Sequence, residues 1–89
     1  MAYKLLGSST TAADSAGAAS NLGRGTFIYT LASAAGVTVT IVEDDSGSTL
    51  VGSIAVPNGT PVILKKDGNQ EVYASSTSCK FTSIGLIGE

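Results

Sequence analysis

The feature that most constrains the fold is the alternation within Val-Thr-Val-Thr-Ile-Val at 37–42, where Val37, Val39 and Ile41 alternate with two threonines. Successive side chains of a β-strand point to opposite faces, so Val37, Val39 and Ile41 share one face and two threonines share the other. A strand of an antiparallel sheet with one face in the core has this pattern. The segment therefore predicts a half-buried β-strand.

Similar short runs recur along the chain, at a spacing of roughly 8 to 12 residues that is typical of all-β folds. Turn residues separate them, and Asn58-Gly59 and Asp67-Gly68 are favoured two-residue hairpin turns. No stretch has the i, i+3, i+4, i+7 apolar spacing of an amphipathic helix. Seven strands are predicted, at 2–6, 26–31, 37–42, 50–56, 62–66, 70–74 and 79–84.

These strands predict an all-β domain, a small antiparallel β-sandwich, with a barrel-like closure as the alternative. Residues 1–89 form one domain, because a chain of this length leaves too little core for two. The residues expected between the two sheets are Phe27, Tyr29, Val39, Ile41, Ile54, Leu64 and Phe81.

Residues 8–25 are rich in Ala and Ser and carry no apolar stripe that packing could stabilise as a helix. The segment is expected to be an irregular loop or an arm that a partner orders. On the second interpretation, deleting residues 2–20 leaves the isolated fold intact.

The charged fraction is low, at 13% against roughly 25% in ordinary soluble domains. Ser, Thr, Gly and Ala replace the usual Lys and Glu, and such side chains cost little entropy and desolvation when another surface covers them. This composition predicts a homo-oligomer or a member of a larger assembly. The alternative is a monomer with a Ser/Thr-rich surface.

A net charge of −2 argues against duplex nucleic acid as a partner. No run of ~18 apolar residues predicts a membrane span, and Leu5-Leu6 is too short for the apolar part of a signal peptide. The single cysteine excludes an intrachain disulfide, so synthesis in the cytoplasm is expected.

The residues needed for common catalytic sites are missing. The chain has no histidine, so an imidazole base and the commonest zinc ligand are absent. Cys79 lies in phase with Phe81, which favours a buried packing role over a thiol activated by Lys80. A Ser-Lys pair has no sequence support. We therefore expect no enzymatic activity, no catalytic residue and no cofactor.

Two short motifs have an alternative functional interpretation. The acidic run Glu43-Asp44-Asp45, with Ser46 and Ser48 nearby, offers oxygen ligands for calcium, but its spacing does not match a calcium-binding loop. A solvated turn is the simpler interpretation. Gly23-Arg24-Gly25 lacks the strand and helix context of a phosphate-binding loop and is expected to be a turn.

The candidate contact residues are Tyr3, Tyr73, Lys65 and Lys66. Tyr73 is opposite in phase to its apolar neighbours and is expected to point outward, where tyrosine is a common interface anchor. Tyr3 is expected to pack on a sheet edge or on a neighbour. The two lysines are expected to protect an edge strand from unwanted pairing, with binding of an acidic ligand or contact with a partner as the alternative.

About half of the chain carries a pattern found in a known group of proteins. It begins with Met-Ala-Tyr-Lys-Leu-Leu-Gly, has a Val-Pro-Asn-Gly turn before an aliphatic strand ending in Lys-Lys-Asp, and closes with Val-Tyr-Ala-Ser and Phe-Thr strands. It resembles the short virion proteins of tailed bacteriophages, particularly marine phages. Residues 11–20 are outside the pattern.

The resemblance implies a β-sandwich that resides in the virion and contacts the major capsid protein or another virion protein. Capsid decoration, in which the domain stabilises the lattice as a cement protein, is the expected function. A tail or fibre component with an adhesive role is the first alternative. A monomeric ligand-binding module is the second.

Overall fold

The structure is a computed structural model that describes the backbone of residues 2–45 and 47–87 and the side chains of residues 4–45 and 47–85. Over these residues the fold is all-β with antiparallel sheets, as predicted, and contains no α-helix. One short 3₁₀ turn occupies Ala16–Ala18. The described strands are β1 (Ala2–Leu5), β2 (Thr10–Thr11), β3 (Phe27–Ala32), β4 (Val37–Val42), β5 (Leu50–Val56), β6 (Val62–Lys65), β7 (Glu71–Ala74) and β8 (Cys79–Ile87).

Two sheets form the sandwich, and no closed barrel is present in the part of the chain that the structure describes. Sheet A has the order β1-β8-β3-β6, and β2 pairs with β8 beside β1. Sheet B has the order β5-β4-β7. The nine-residue β8 is the organising strand of sheet A, because β1, β2 and β3 all pair with it.

Most connections between consecutive strands carry the chain from one sheet to the other. Within the described residues, β4 and β5 are the one pair of consecutive strands that also pair in a sheet, and Glu43 N–H donates to Thr49 O (2.9 Å) across their turn. The prediction of hairpins at Asn58-Gly59 and Asp67-Gly68 was therefore wrong. Asn58 bridges to Ala32, so its turn carries the chain from sheet B to sheet A.

The core lies between the sheets and includes Phe81 and Val39, as predicted. Strand β3, however, has the opposite phase to the prediction. Ile28, Thr30 and Ala32 are the buried residues, so Phe27 and Tyr29 point away from the core. Both faces of β3 carry apolar residues, and a strand with two apolar faces leaves its register undetermined by hydrophobicity alone.

Three other predicted core residues are only partly enclosed. Ile41 and Leu64 pack against the core cluster from its margin, and Ile54 is 45% exposed. Smaller residues complete the core in their place. The buried apolar residues of this cluster are Ala12, Ile28, Ala32, Val37, Val39, Val56, Val72, Ala74, Cys79 and Phe81.

The segment between β2 and β3 closes the flank of the sandwich formed by β7 and β8. Ala12 N–H donates to Cys79 O of β8 (2.9 Å), and Ala74 N–H of β7 donates to Ala13 O (2.9 Å). Ser20 and Val72 exchange both backbone hydrogen bonds (2.9 and 3.2 Å). Residues 8–25 are thus part of the folded body, which corrects the expectation of a detachable arm.

The opposite flank, formed by β5 and β6, has no such cover among the described residues. Gly52 and Ile54 of β5 and Leu64 of β6 line an apolar hollow of about 170 Å³, and Val39 and Ile41 form its floor. This hollow leads directly to the core. One flank of the sandwich is therefore sealed by the chain itself and the other is open.

Candidate interaction surface

The outer face of sheet A is apolar. Its register places Leu5 beside Ile84, Ile84 beside Phe27, and Ile63 beside Tyr29. The outer face of an antiparallel sandwich usually alternates to polar residues, since only the inner face packs on the core. We call this surface the sheet A face and define it by Leu5, Phe27, Tyr29, Leu31, Ile63 and Ile84.

The sheet A face has a depression in its middle. Ile84 is 1% exposed although it lies on the outer side of the sheet. Leu5, Tyr29 and Thr82 border a hollow of about 270 Å³ with Ile84 at its base. Leu5 itself is 73% exposed. An apolar rim around a shallow apolar hollow is a shape into which a partner side chain can insert.

Lys65 borders the sheet A face on its β6 edge. It is exposed and lies beside Phe27 in the register, with Nζ 5.9 Å from the centroid of the phenyl ring. At that distance the ammonium group contributes a weak cation–π attraction. Tyr3 pairs with Leu86 through its backbone in β1, but its side chain lies outside the described side chains.

Tyr73 lies on the other sheet. It is half-buried in β7, directly across from Thr40, and its neighbours Val72 and Ala74 face the core. The phase predicted for this tyrosine agrees with its position. The structure therefore does not bring Tyr73 together with Lys65 in one surface.

Lys66 is not a surface residue, which corrects its assignment as a contact residue. It is 3% exposed, and Nζ donates to Asn21 O (3.0 Å), Asp67 O (3.3 Å) and Gly68 O (3.5 Å). Burial lowers the pKa of Lys66, and the charge of Arg24 lowers it further. The side chain ties the turn before β3 to the β6–β7 connection.

No family model matches this sequence, and comparison with curated proteins and with solved structures finds no match. The surface chemistry and the fold therefore carry the functional proposal below. Among residues 2–45 and 47–87, no helix is long and apolar enough to cross a membrane.

The segment containing Gly23-Arg24-Gly25 is a tight turn, as expected. Leu22, Gly23 and Arg24 have φ of 54°, 67° and 65°, which is unusual for the two residues with a side chain. Asn21 Oδ1 accepts a hydrogen bond from Gly23 N–H (3.1 Å), and Leu22 O accepts one from Ser83 Oγ (2.7 Å). The left-handed turn is held in place by these polar contacts.

The acidic run lies at the β4–β5 turn, and two of its carboxylates already accept hydrogen bonds. Asp45 accepts hydrogen bonds from the hydroxyl and the N–H of Thr49, and the hydroxyl contact lowers the pKa of Asp45. Glu43 accepts a hydrogen bond from Gln70 Nε2 (3.3 Å). Among the side chains that the structure describes, no three metal-ligating groups lie together.

Cys79 is buried in the core, with 1% of its surface exposed. Burial raises the pKa of the Cys79 thiol and so keeps it protonated and unreactive at neutral pH. We expect a thiol reagent such as DTNB to label the folded protein at least about a thousandfold more slowly than the protein in urea, because labelling requires unfolding.

A Thr77→Cys variant provides the control, because Thr77 is exposed two residues before Cys79. Its added thiol should react at the rate of a free thiol while Cys79 stays protected. Rapid modification of both thiols in the native protein would contradict the buried position.

The sequence did not predict the sheet A face, because its aromatic residues were assigned to the core. Phe27 and Tyr29 were assigned to the core because they are large. Leu31 and Ile63, which are 37% and 36% exposed, carry no sequence signal of exposure. The one available clue was the presence of Ile28, Thr30 and Ala32 on the other face of β3, which makes either register compatible with a core.

Proposed function

We propose that this chain is a non-catalytic structural protein of a phage particle and that it docks through the sheet A face on the major capsid protein or another virion protein. Capsid decoration is the form of this function that we favour. The observation that carries the proposal is an apolar outer face on a sandwich whose core is already filled from the inner face.

The first support is energetic. Leu5 is 73% exposed, and Leu31 and Ile63 are exposed by more than a third. Covering each of these side chains contributes about 1–2 kcal/mol at ~25 cal/mol per Å² of apolar area. Phe27 and Tyr29, half-buried between them, add rigid aromatic contact area, which is typical of interface anchors.

The second support is the match between a small surface and a role that uses many copies. The four strands of the surface span about 14 Å, at ~4.8 Å between neighbouring strands, and the distance from Phe27 to Leu31 along β3 is similar. A patch of roughly 200 Å² is small beside the ~800 Å² that each partner contributes to a standard interface. Many copies on one lattice compensate for a weak single contact by avidity, which suits a decoration protein.

The third support is the scarcity of charge, with 13% charged residues in the chain. On the sheet A face, Lys65 and Lys80 are the charged residues among the described side chains in the register of β3. Both lie at its borders, so a partner can cover the central residues without desolvating a charge.

The test is retention on particles. Leu5→Glu and Ile63→Glu place a charge on exposed positions of the sheet A face and should leave the fold unchanged. We expect each variant to bind purified phage shells at least about fivefold more weakly, since burying an unpaired carboxylate costs more than 1 kcal/mol. Ala35→Glu, at an exposed site in the β3–β4 connection, should bind as the parent chain does.

Imaging of intact particles by electron microscopy then locates the chain. Copies over the whole capsid lattice support decoration, and copies confined to the tail support the tail alternative. If the parent chain never sediments with particles, or if all three variants are retained equally, docking through the sheet A face is wrong.

A further inference from the structure

Strand β5 is an edge strand of sheet B that no other described segment covers. It carries no charged residue and no proline over Leu50–Val56. Leu50, Val51 and Ile54 are 66%, 48% and 45% exposed. Long apolar edge strands are templates for pairing with another chain, and proteins usually block them.

The other three sheet edges are blocked among the described residues. Strand β7 is covered by the segment that contains Ser20. Strand β6 begins after Pro61 and ends in exposed Lys65, and β1 carries exposed Lys4. Lysine and proline are common devices against edge pairing. Strand β5 carries no lysine or proline within its bounds. Its irregularity among the described residues is a β-bulge at Val51, where the register with β4 shifts between Ile41 and Val42, so residues 52–56 are its regular, unblocked stretch.

The backbone of β5 also presents the required groups. Ser75 N–H of the β7 side donates to Thr38 O (2.8 Å), so the even-numbered residues of β4 direct their backbone groups toward β7. Because backbone groups alternate in direction along a strand, the N–H and C=O groups of Val39 point toward β5, where they pair with Ile54. It follows that Ser53 and Ala55 direct their N–H and C=O groups out of the sheet.

We propose that β5 pairs antiparallel with β5 of a second copy of this chain, with Ser53 opposite its own counterpart on a two-fold axis. In this register Ser53 and Ala55 use their outward backbone groups, and Ala55 lies opposite Val51 of the second copy, the residue at the β-bulge. Sheet B thus becomes a six-stranded sheet shared by two copies. A two-fold axis through one residue pair is the usual geometry of a symmetric dimer.

Side-chain shape selects the same register. Gly52 lies opposite Ile54 of the second copy, and both face the apolar hollow at the open flank. A Cβ placed on Gly52 would meet no atom within 4 Å, so the space beside it is empty. Ile54 of each copy fills this space in the other, which closes both hollows with apolar atoms.

The small area of the contact indicates a weak association between the two copies. Seven residues at ~3.4 Å each give a strand about 24 Å long, and two sheets ~10 Å apart with their side chains give a flank about 20 Å wide. The flank therefore buries on the order of 500 Å² per copy, at the low end for specific interfaces. A small contact of this kind is expected to be weak, with a dissociation constant on the order of 10⁻⁴ M, so the dimer forms when copies are concentrated.

Charge substitution at the axis tests the pairing. Ser53→Lys and Ser53→Glu each place two like charges opposite each other, which should raise the dissociation constant about fivefold. Ser53 is exposed, so neither change disturbs the monomer. An equimolar mixture of the two variants should associate more tightly than either alone, as measured by sedimentation equilibrium up to millimolar concentration.

Cross-linking tests the register. Opposed residues of a hydrogen-bonded pair lie ~5.5 Å apart between Cα atoms, within the 4.4–6.8 Å range of a disulfide. Ser53→Cys should form a covalent dimer under mild oxidation. Ala55→Cys is the matched control, because its counterpart lies about 14 Å away in this register.

Efficient dimerisation of Ala55→Cys would overturn the register. Failure of both cysteine variants to form a covalent dimer would overturn it as well. A parent chain that stays monomeric at millimolar concentration, with no gain in the charge-swapped mixture, would overturn the pairing itself. The proposal is independent of docking through the sheet A face, since Leu5→Glu and Ile63→Glu should leave the Ser53→Cys cross-link unchanged.

Discussion

Deleting residues 2–20 is expected to unfold the domain at 25 °C. The deletion removes β1 and β2, which pair with β8 over six registered positions, and takes Ala12 out of the core. It also leaves the outward backbone groups of Val72 and Ala74 without the partners that Ser20 and Ala13 supply. We expect a loss of more than about 5 kcal/mol, which is comparable to the whole stability of a small domain.

Circular dichroism during urea titration measures this effect, with loss of the cooperative transition as the expected result. Asp14→Ala serves as the control, because Asp14 is exposed in the same segment and should change the free energy of unfolding by less than about 0.5 kcal/mol. A truncated chain with an unchanged urea midpoint would instead support the sequence-based expectation of a separable arm.

Replacing Lys66 with methionine is expected to reduce the free energy of unfolding by about 2–4 kcal/mol. The change removes the donor that the carbonyl groups of Asn21, Asp67 and Gly68 share. Asp67 O keeps the hydrogen bond from Gln70 N–H (3.0 Å), so the other two carbonyls lose their partner, and each buried unsatisfied group costs about 1–3 kcal/mol. Burial lowers the pKa of Lys66, so the folded state holds the charge less favourably than the unfolded state does, and the net loss is smaller than the sum of three bonds.

Lys65→Met is a matched control, since it makes the same change one residue earlier at an exposed position. It should alter the urea midpoint by less than about 0.5 kcal/mol in equivalent free energy. Equal stability of the two variants would show that the carbonyl contacts of Lys66 contribute nothing. Lys66→Arg should not rescue the loss fully, because a planar fork fits three converging carbonyls poorly.

The sequence predicted the strands far better than their connections. Alternation depends on neighbouring residues, so Val37–Val42 could be recognised locally. The turn pairs Asn58-Gly59 and Asp67-Gly68 look the same whether the next strand joins the same sheet or the opposite one. That choice depends on contacts between distant strands, such as β3 with β6 and β8, which a local pattern does not encode.

The candidate surface was predicted less well, for a physical reason. A strand with Phe27 and Tyr29 on one face and Ile28 and Thr30 on the other has two plausible inner faces. The buried face is fixed by the strands on either side, where Phe81 and Ser83 of β8 face the core beside Thr30 and Ile28. Lys66 was assigned to the surface because lysine is almost never fully buried, and only the three converging carbonyls explain the exception.

The pairing of β1 with β8 determines when folding can finish. Ala2 lies opposite Ile87, so the first and last strands of the sheet are almost the whole chain apart in sequence. Loops of that length close slowly, and proteins dominated by such distant pairings fold in milliseconds to seconds. During synthesis, the β4–β5 hairpin can form early, whereas sheet A must wait until β8 has left the ribosome.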